Sequence, residues 1–439
     1  MAFLAFAGAA TAQQKWSLPM CIDYAMKNNI SVKQIDLQTK IAELVLRQSK
    51  LGQIPSLGFS AGPSYNSGRS QDPTTFSLST QSYLSANMQL QSSADIFNWF
   101  SKRNTIAANE WELQAARANT DKLKNDIALS VANIYLQILL AMEQEEIAGV
   151  QLQQSKAQLS NTRKLVDAGN LPELNAAELE AQVARDSSTV ITAKGAVTQN
   201  ILSLKAYMAL DAGAPFEIDT PPVDRIPLEK IADLQPETVY TTAMANMPQQ
   251  QFNNFKLRAA EKNSLVAKAG MFPVVTLYGS LGSGYANYFN TPNGFPKSDP
   301  FFPQLNRNFR QTVGLNLNVP IFNGNNARTN YLRSKIAIQN QELQQTLDNQ
   351  TLKQNIYQAY NAAVIALEKY NAGKKTLETA ERTFNFAQKR YDVGMMGTFE
   401  LITNQNNLFS ARLQNVLNQY DYVFKMKVLE FYKGQGLKL

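Results

Sequence analysis

Two periods alternate along this chain. In "PSLGFSAGPSY" apolar and polar positions change places at every residue: Leu57, Phe59, Ala61 and Tyr65 face one way, Ser56, Gly58, Ser60, Gly62 and Ser64 the other. In "YLSANMQL", Leu84, Ala86, Met88 and Leu90 oppose Tyr83, Ser85, Asn87 and Gln89. The alternation returns with Val275, Leu277 and Leu281 in "PVVTLYGSLGSGY", then with Val313, Leu315, Leu317 and Val319 in "TVGLNLNVP". A period of two predicts strands with one apolar face, at about 55–66, 82–93, 273–286 and 309–321. Elsewhere the period is helical. Leu113, Leu123, Ile127, Val131, Ile134 and Ile138 lie on one seam, as do Leu343, Leu347, Leu352, Ile356 and Leu367. The pattern predicts paired helical runs near 100–167 and 173–209, and again near 325–392 and 398–432. A helix of about 65 residues, rising about 1.5 Å per residue, extends about 100 Å. A helix of about 30 residues is expected ahead of each strand pair.

Both long runs are broken by a glycine, in "KLVDAGNLPELNAAEL" (Lys164 to Leu179) and "RYDVGMMGTFELITNQ" (Arg390 to Gln405). Aligning Gly169 with Gly394 also aligns Asp167 with Asp392 and Leu174 with Phe399, a shift of 394 − 169 = 225. The same shift pairs Ile96-Phe97-Asn98 with Ile321-Phe322-Asn323, Tyr135 with Tyr360 and Tyr207 with Tyr432. Upstream, Ala25-Met26 with Ala243-Met244 and Pro55 with Pro273 give 218, so the second copy has gained 225 − 218 = 7 residues. The period is far too long for a solenoid unit and reads as duplication of a whole domain. The copies are expected at 17–210 and 235–432, with a Pro-rich connector at 211–234 and a tail at 433–439.

The strand faces opposite the apolar ones carry small, uncharged polar residues, as in a water-filled lumen. A soluble sandwich would give the same alternation. Aromatics gather at the strand ends, Phe97, Trp99 and Phe100 in one copy and Phe272 and Phe322 in the other. That is where a bilayer boundary places them, although a hydrophobic plug between domains would do so too. The connections "SGRSQDPTTFSLSTQ" and "ANYFNTPNGFPKSDPFFPQLNRN" are long, polar and rich in turn formers, as external loops are. Two strands per copy make four per chain. Four strands cannot close a barrel, and hydrocarbon tolerates no open sheet edge, so membrane strands here require several chains.

Composition narrows the chemistry. The 439 residues are 44% hydrophobic and 18% charged, with one cysteine (Cys21) and no histidine. Intrachain disulfides, Cys/His metal sites and histidine acid–base catalysis are therefore excluded. The net charge of +7 is scattered, without a basic stripe interleaved with aromatics, so no nucleic-acid partner is expected. "GSLGSGY" (Gly279 to Tyr285) lies in a strand with no helix following, unlike a nucleotide-binding turn, and Glu145-Glu146 reads as a solvated helix face. No enzyme activity, cofactor or metal is expected. "MAFLAFAGAATAQQKW" resembles the second half of a secretory signal ending at Ala12, which makes 1–12 a leader remnant. Cys21 follows a poor lipoprotein pattern and is expected as a small buried residue on an early helix. No other apolar run approaches the roughly 20 residues of a membrane helix.

After residue 16 the chain resembles the TolC-like outer-membrane factor family of tripartite efflux and type I secretion systems. The resemblance rests on the doubled layout and the proline-led strands "IPSLGF" and "FPVVTLY". It rests also on the junctions "DIFNWFSKR" and "PIFNGNNAR" and the turns "DAGNL" and "DVGMM". It implies a mainly α fold with a membrane β-barrel: a duplicated repeat of helix, β-hairpin and long helical hairpin. A homotrimer would form a twelve-stranded barrel continued by a twelve-helix periplasmic α-barrel. It implies a passive exit duct in the outer membrane of a Gram-negative bacterium, docking a periplasmic adaptor and an inner-membrane pump of RND, ABC or MFS type. The alternative is a structural or adhesive coiled-coil envelope protein.

By position, the resemblance assigns adaptor docking to Ala168, Gly169, Asn170 and Leu171 and to Val393, Gly394, Met395 and Met396. Of these Leu171, Met395 and Met396 are expected to be exposed. Glu400 matches an aperture acid, and Thr403 stands where a second acid is expected. Tyr391 matches a gating tyrosine whose partner position holds Asn175, and Met396 replaces an arginine. Neutral hydrogen bonds and packing are thus expected to hold the gate. Glu400 reads equally as a solvated acid in the first turn of a helix.

Overall fold

The computed structural model describes residues 15–71, 76–223, 226–289 and 298–434. The expected leader at 1–12, parts of both inter-strand loops, two connector residues and the end of the tail lie outside the described residues. In chain order the elements are α1 (Leu18–Asn28), α2 (Ile30–Leu51), β1 (Ser56–Gln71), β2 (Leu78–Phe97), α3 (Ser101–Asp167) and α4 (Glu173–Met208). Then follow α5 (Pro236–Asn246), α6 (Pro248–Ala269), β3 (Val274–Tyr288), α7 (Phe301–Arg307), β4 (Arg310–Asn318), α8 (Asn326–Asp392) and α9 (Thr398–Tyr432). The duplication is visible in lengths: 11 residues for α1 and α5, 22 for α2 and α6, 67 for α3 and α8.

The helix expected ahead of each strand pair is in fact two. Asn29 leaves the helical region (ψ 132°), and its Oδ1 accepts the N–H groups of Ser31 at 2.8 Å and Val32 at 3.4 Å, capping α2. In the second copy Pro248 opens α6: proline offers no N–H and pushes Met247 out of the helical region, to ψ 131°. The strands differ from expectation as well. β1 and β2 run on to Gln71 and Phe97, whereas β4 stops at Asn318. The connection between β3 and β4, expected as a polar external loop, contains α7.

The four strands form one antiparallel sheet in the order β1-β2-β3-β4. Register aligns Phe59 with Leu90 and Leu281, and Leu277 with Leu315, so apolar residues of neighbouring strands share one face of the sheet. Among the described residues most of that face is open: Leu57 is 71%, Phe59 68% and Val313 80% exposed, and only its end at Ser283 and Tyr285 is covered, by the segment that carries α7. β1 and β4 are the edges. These strands lie with 39–116 and 253–344 in one compact unit; the remaining residues form another.

The core of that other unit joins Leu18, Cys21 and Ile22 of α1 with Val131, Tyr135 and Ile138 of α3, Leu204 and Met208 of α4, and Val423 of α9. One 18-residue window of α3 is as apolar as a membrane span, but half of it is buried inside the fold. Cys21 is buried as expected, and burial pushes its thiol up to about 12. The connector is no loose linker. Trp16 and Ile218 form a parallel bridge, and the Tyr135 hydroxyl donates to the carbonyls of Trp16 and Asp219. The buried Lys205 ammonium donates to the carbonyls of Ala212 at 2.9 Å and Ala214 at 2.6 Å.

The strand-to-helix junctions differ between copies. Trp99 and Phe100 adopt left-handed φ values of 50° and 60°; their counterparts at the 225 shift are Gly324 and Asn325, both at 65°. Left-handed backbone costs a bulky residue about 1–2 kcal/mol. At the first junction ring contacts offset that: Trp99 lies 4.5 Å from Phe272, and Phe97 lies 5.3 Å from Trp99 and 5.9 Å from Phe100. Phe322 does not join this cluster; it is 87% exposed.

Candidate docking tips and neck

Each long hairpin turns through the same hydrogen bonds. At the first tip Gly169 (φ 79°) donates to Val166 O and Asn170 to Leu165 O, both at 2.8 Å. At the second, Gly394 (φ 73°) donates to Tyr391 O at 2.9 Å and Met395 to Arg390 O at 2.8 Å. This is the Schellman closure, which satisfies the last carbonyls of a helix and requires a left-handed residue. A Cβ on either glycine would meet no neighbour within 4 Å. Gly394→Ala is therefore expected to destabilise the tip by about 1–2 kcal/mol through backbone conformation alone. Hydrogen exchange at the α8–α9 turn would read this as faster opening.

The tips differ in their side chains. At the first, Arg163 pairs with Glu173, with Asp167 at 3.8 Å and with Glu180 at 3.6 Å. At the second, Val393 and Met395 are each 68% exposed and Phe399 72%. Leu171 and Met396, expected to be exposed, are half-buried. Ala168 and Asn170 are exposed, as are both glycines. Two exposed apolar residues, Leu174 (65%) and Phe399, were not among the residues assigned to docking from the sequence. Their signal was present: they align at the 225 shift, five residues past each glycine.

Above the tips, polar side chains tie the helices together. The Tyr391 hydroxyl lies 2.9 Å from Thr162 Oγ1 on α3 and 3.4 Å from Thr398 Oγ1 on α9. Asn175, the expected partner position, instead turns its backbone N–H to Pro172 O at 3.1 Å. Gln158 on α3 donates to Gln388 on α8 at 3.2 Å. Deeper in, Gln405 donates to Ser155 Oγ at 3.0 Å, and Ser155 in turn donates to Asp186. Gln182 donates to Asp186 at 2.8 Å and to Asn406 at 3.1 Å. Ser155, Gln182, Asp186 and Gln405 are all buried. Polar residues on a helix carry no periodic mark of burial, so the sequence offered no signal for this network.

Glu400 is exposed in the first turn of α9, where a carboxylate suits the helix dipole. Thr403 bonds back to Phe399 O at 2.8 Å. Among the described residues no group of three or more acidic or thiol ligands is placed to hold a metal.

Comparison with known proteins places this geometry. The outer membrane efflux protein family model matches residues 21–210 and 239–434. The outer membrane efflux protein BepC of Brucella suis is 21% identical over 82% of this chain and 73% of its own length. Among solved structures, the CusC channel superposes with a TM-score of 0.81 at 18% identity, covering 95% of this chain and 91% of its own. The Campylobacter jejuni CmeC outer membrane channel gives 0.79 at 18% identity, covering 96% and 86%. The chain has the fold of these outer-membrane channels, its place is the outer membrane, and it belongs to the outer membrane efflux protein family.

Proposed function

We propose that this chain is one third of a passive homotrimeric exit duct, docked to a periplasmic adaptor that links it to an inner-membrane pump. The observation that carries the reading is the sheet. Four strands with one apolar face left mostly open and two edges that no described strand pairs make neither a soluble core nor a closed barrel. β1 and β4 run antiparallel, so β4 of one copy can pair with β1 of the next. Three copies then give twelve strands, with the Leu57–Val313 face on lipid and the Ser/Gly/Asn/Gln face on water. The aromatic cluster Phe97–Trp99–Phe100–Phe272 sits at the helical end of the strands, at the level of a bilayer boundary.

The tips are the adaptor surface, with Val393, Met395 and Phe399 as its apolar contacts and Leu174 beside the first turn. Glu400, six residues past Gly394, faces its two symmetry mates at the neck and attracts cations there. Energy and substrate choice belong to the pump.

Single-channel conductance in planar bilayers tests the duct. Wild type is expected to carry a small cation-selective current, and Glu400→Ala to lose the selectivity. A selective current unchanged by the substitution would move the constriction elsewhere. No current from folded trimer would return the chain to the envelope coiled-coil reading.

A further inference from the structure

The two β-hairpins of the duplicated fold are not equivalent, and the difference lies at the end of the sheet away from α3. β2 has 20 residues and pairs with β1 along its whole 16. β4 has only 9 and leaves β3 unpaired beyond Gly282. At the 225 shift, the missing part of β4, 303–309, corresponds to Leu78–Leu84, which is strand in the first copy. In the second copy it is mostly α7.

The edge of β3 is nevertheless not bare. In an antiparallel strand every second residue presents its N–H and C=O to the same neighbour. Here those residues are Gly284, Ala286 and Tyr288, and side chains answer each in turn. Asn308 Nδ2 donates to Gly284 O at 2.6 Å. The Gln304 amide takes both groups of Ala286, accepting its N–H at 3.0 Å and donating to its carbonyl at 2.9 Å. Ser298 Oγ accepts the N–H of Tyr288 at 3.1 Å. The Ser283 hydroxyl donates to Leu305 O at 2.6 Å, the Tyr285 ring meets Phe301 edge-on at 5.0 Å, and Asp299 pairs with Arg307. The segment occupies the place in the sheet that a longer β4 would fill.

We propose that Ser298–Asn308 acts as a substitute strand and seals the far end of the barrel against β1 of the neighbouring copy. The inference rests on the trimeric barrel proposed above. In that ring β4 can pair at most 9 of the 16 residues of the next β1, leaving 16 − 9 = 7 without a strand beside them. The element between β3 and those residues is the α7 segment. Its outward residue Phe302 is 78% exposed in the single chain, and Asn66, Gly68 and Arg69 on the far half of β1 are exposed or half-exposed. The occupant of this surface is therefore a second copy of the chain.

Intersubunit crosslinking tests it in outer membranes containing the full chain, with Cys21 buried and so silent toward maleimides. Phe302→Cys is combined with Asn66→Cys, Gly68→Cys or Arg69→Cys and treated with a short bifunctional maleimide. Leu317→Cys with Leu57→Cys or Phe59→Cys reports pairing of β4 with the next β1. Linked dimers and trimers from both sets are expected. Gln304→Ala with Asn308→Ala should then lower the Phe302 yield severalfold and leave the Leu317 yield unchanged. Crosslinks from the Leu317 set alone overturn the seal and keep the trimer. Crosslinks from neither set remove the trimeric barrel and the seal with it. A Phe302 yield indifferent to the loss of Gln304 and Asn308 overturns the strand-substitute role.

Discussion

Glu430→Ala is expected to destabilise the chain by about 3–5 kcal/mol, since it strands a buried ammonium without its counter-charge. Lys427 and Glu430 lie one turn apart on α9, their side chains 5% and 7% exposed and 2.8 Å from each other. Each also holds the connector: Lys427 Nζ donates to Pro227 O at 2.7 Å, and Glu430 Oε1 accepts the Glu229 N–H at 2.9 Å. Removing the carboxylate leaves that N–H without its acceptor and the ammonium without a counter-charge, held by the Pro227 carbonyl. Most of that loss disappears when both charges go. Lys427→Met with Glu430→Met removes the desolvation penalty together with the attraction, and such replacements are often close to neutral. Denaturant unfolding of detergent-solubilised protein, followed by circular dichroism, separates the two variants. Equal losses for single and double substitutions would mean that the bonds to the connector, rather than the ion pair, hold α9 in place.

The second large effect is on export rather than on folding. Met395→Asp with Phe399→Asp is expected to abolish export while leaving protein level and assembly at wild type. Both residues are about 70% exposed, so in the isolated chain neither change buries a charge. At a docked tip both would. Aspartates carried into an apolar contact pay desolvation with no partner to offset it, several kcal/mol for each ion, enough to remove a contact of ordinary affinity. Pull-down of the adaptor by the wild-type and substituted chains reads the loss directly. Leu174→Asp, at the first tip, is the internal comparison: its neighbours Asp167 and Glu173 already make that tip polar, and a smaller loss is expected there. Full export by the Met395/Phe399 variant would place docking elsewhere.

Local rules explain why so much of this molecule was legible. Strand alternation, the long seams and the two glycine turns are each set by residues close in sequence, and duplication stated every one of them twice. Hence four strands, two 67-residue helices and a left-handed glycine at each hairpin turn are present, although the strand ends differ from the pattern. The breaks at Asn29 and Pro248 were local as well, since a capping amide and a proline are visible in any sequence; helical periodicity on both sides concealed them.

Sequence by itself determined the sheet with one apolar face, the doubled helical hairpins and the turns at their ends, because those follow from side-chain period and backbone preference. Tertiary structure decided which polar groups meet. Tyr391 has Thr162 from 229 positions away, Gln405 has Ser155 from 250, and Glu430 has Glu229 from 201. It also decided that one stretch is strand at Leu78–Leu84 and mostly helix at its counterpart. A buried polar group takes whatever donor or acceptor the packed chain brings within about 3 Å, and no local pattern encodes that choice.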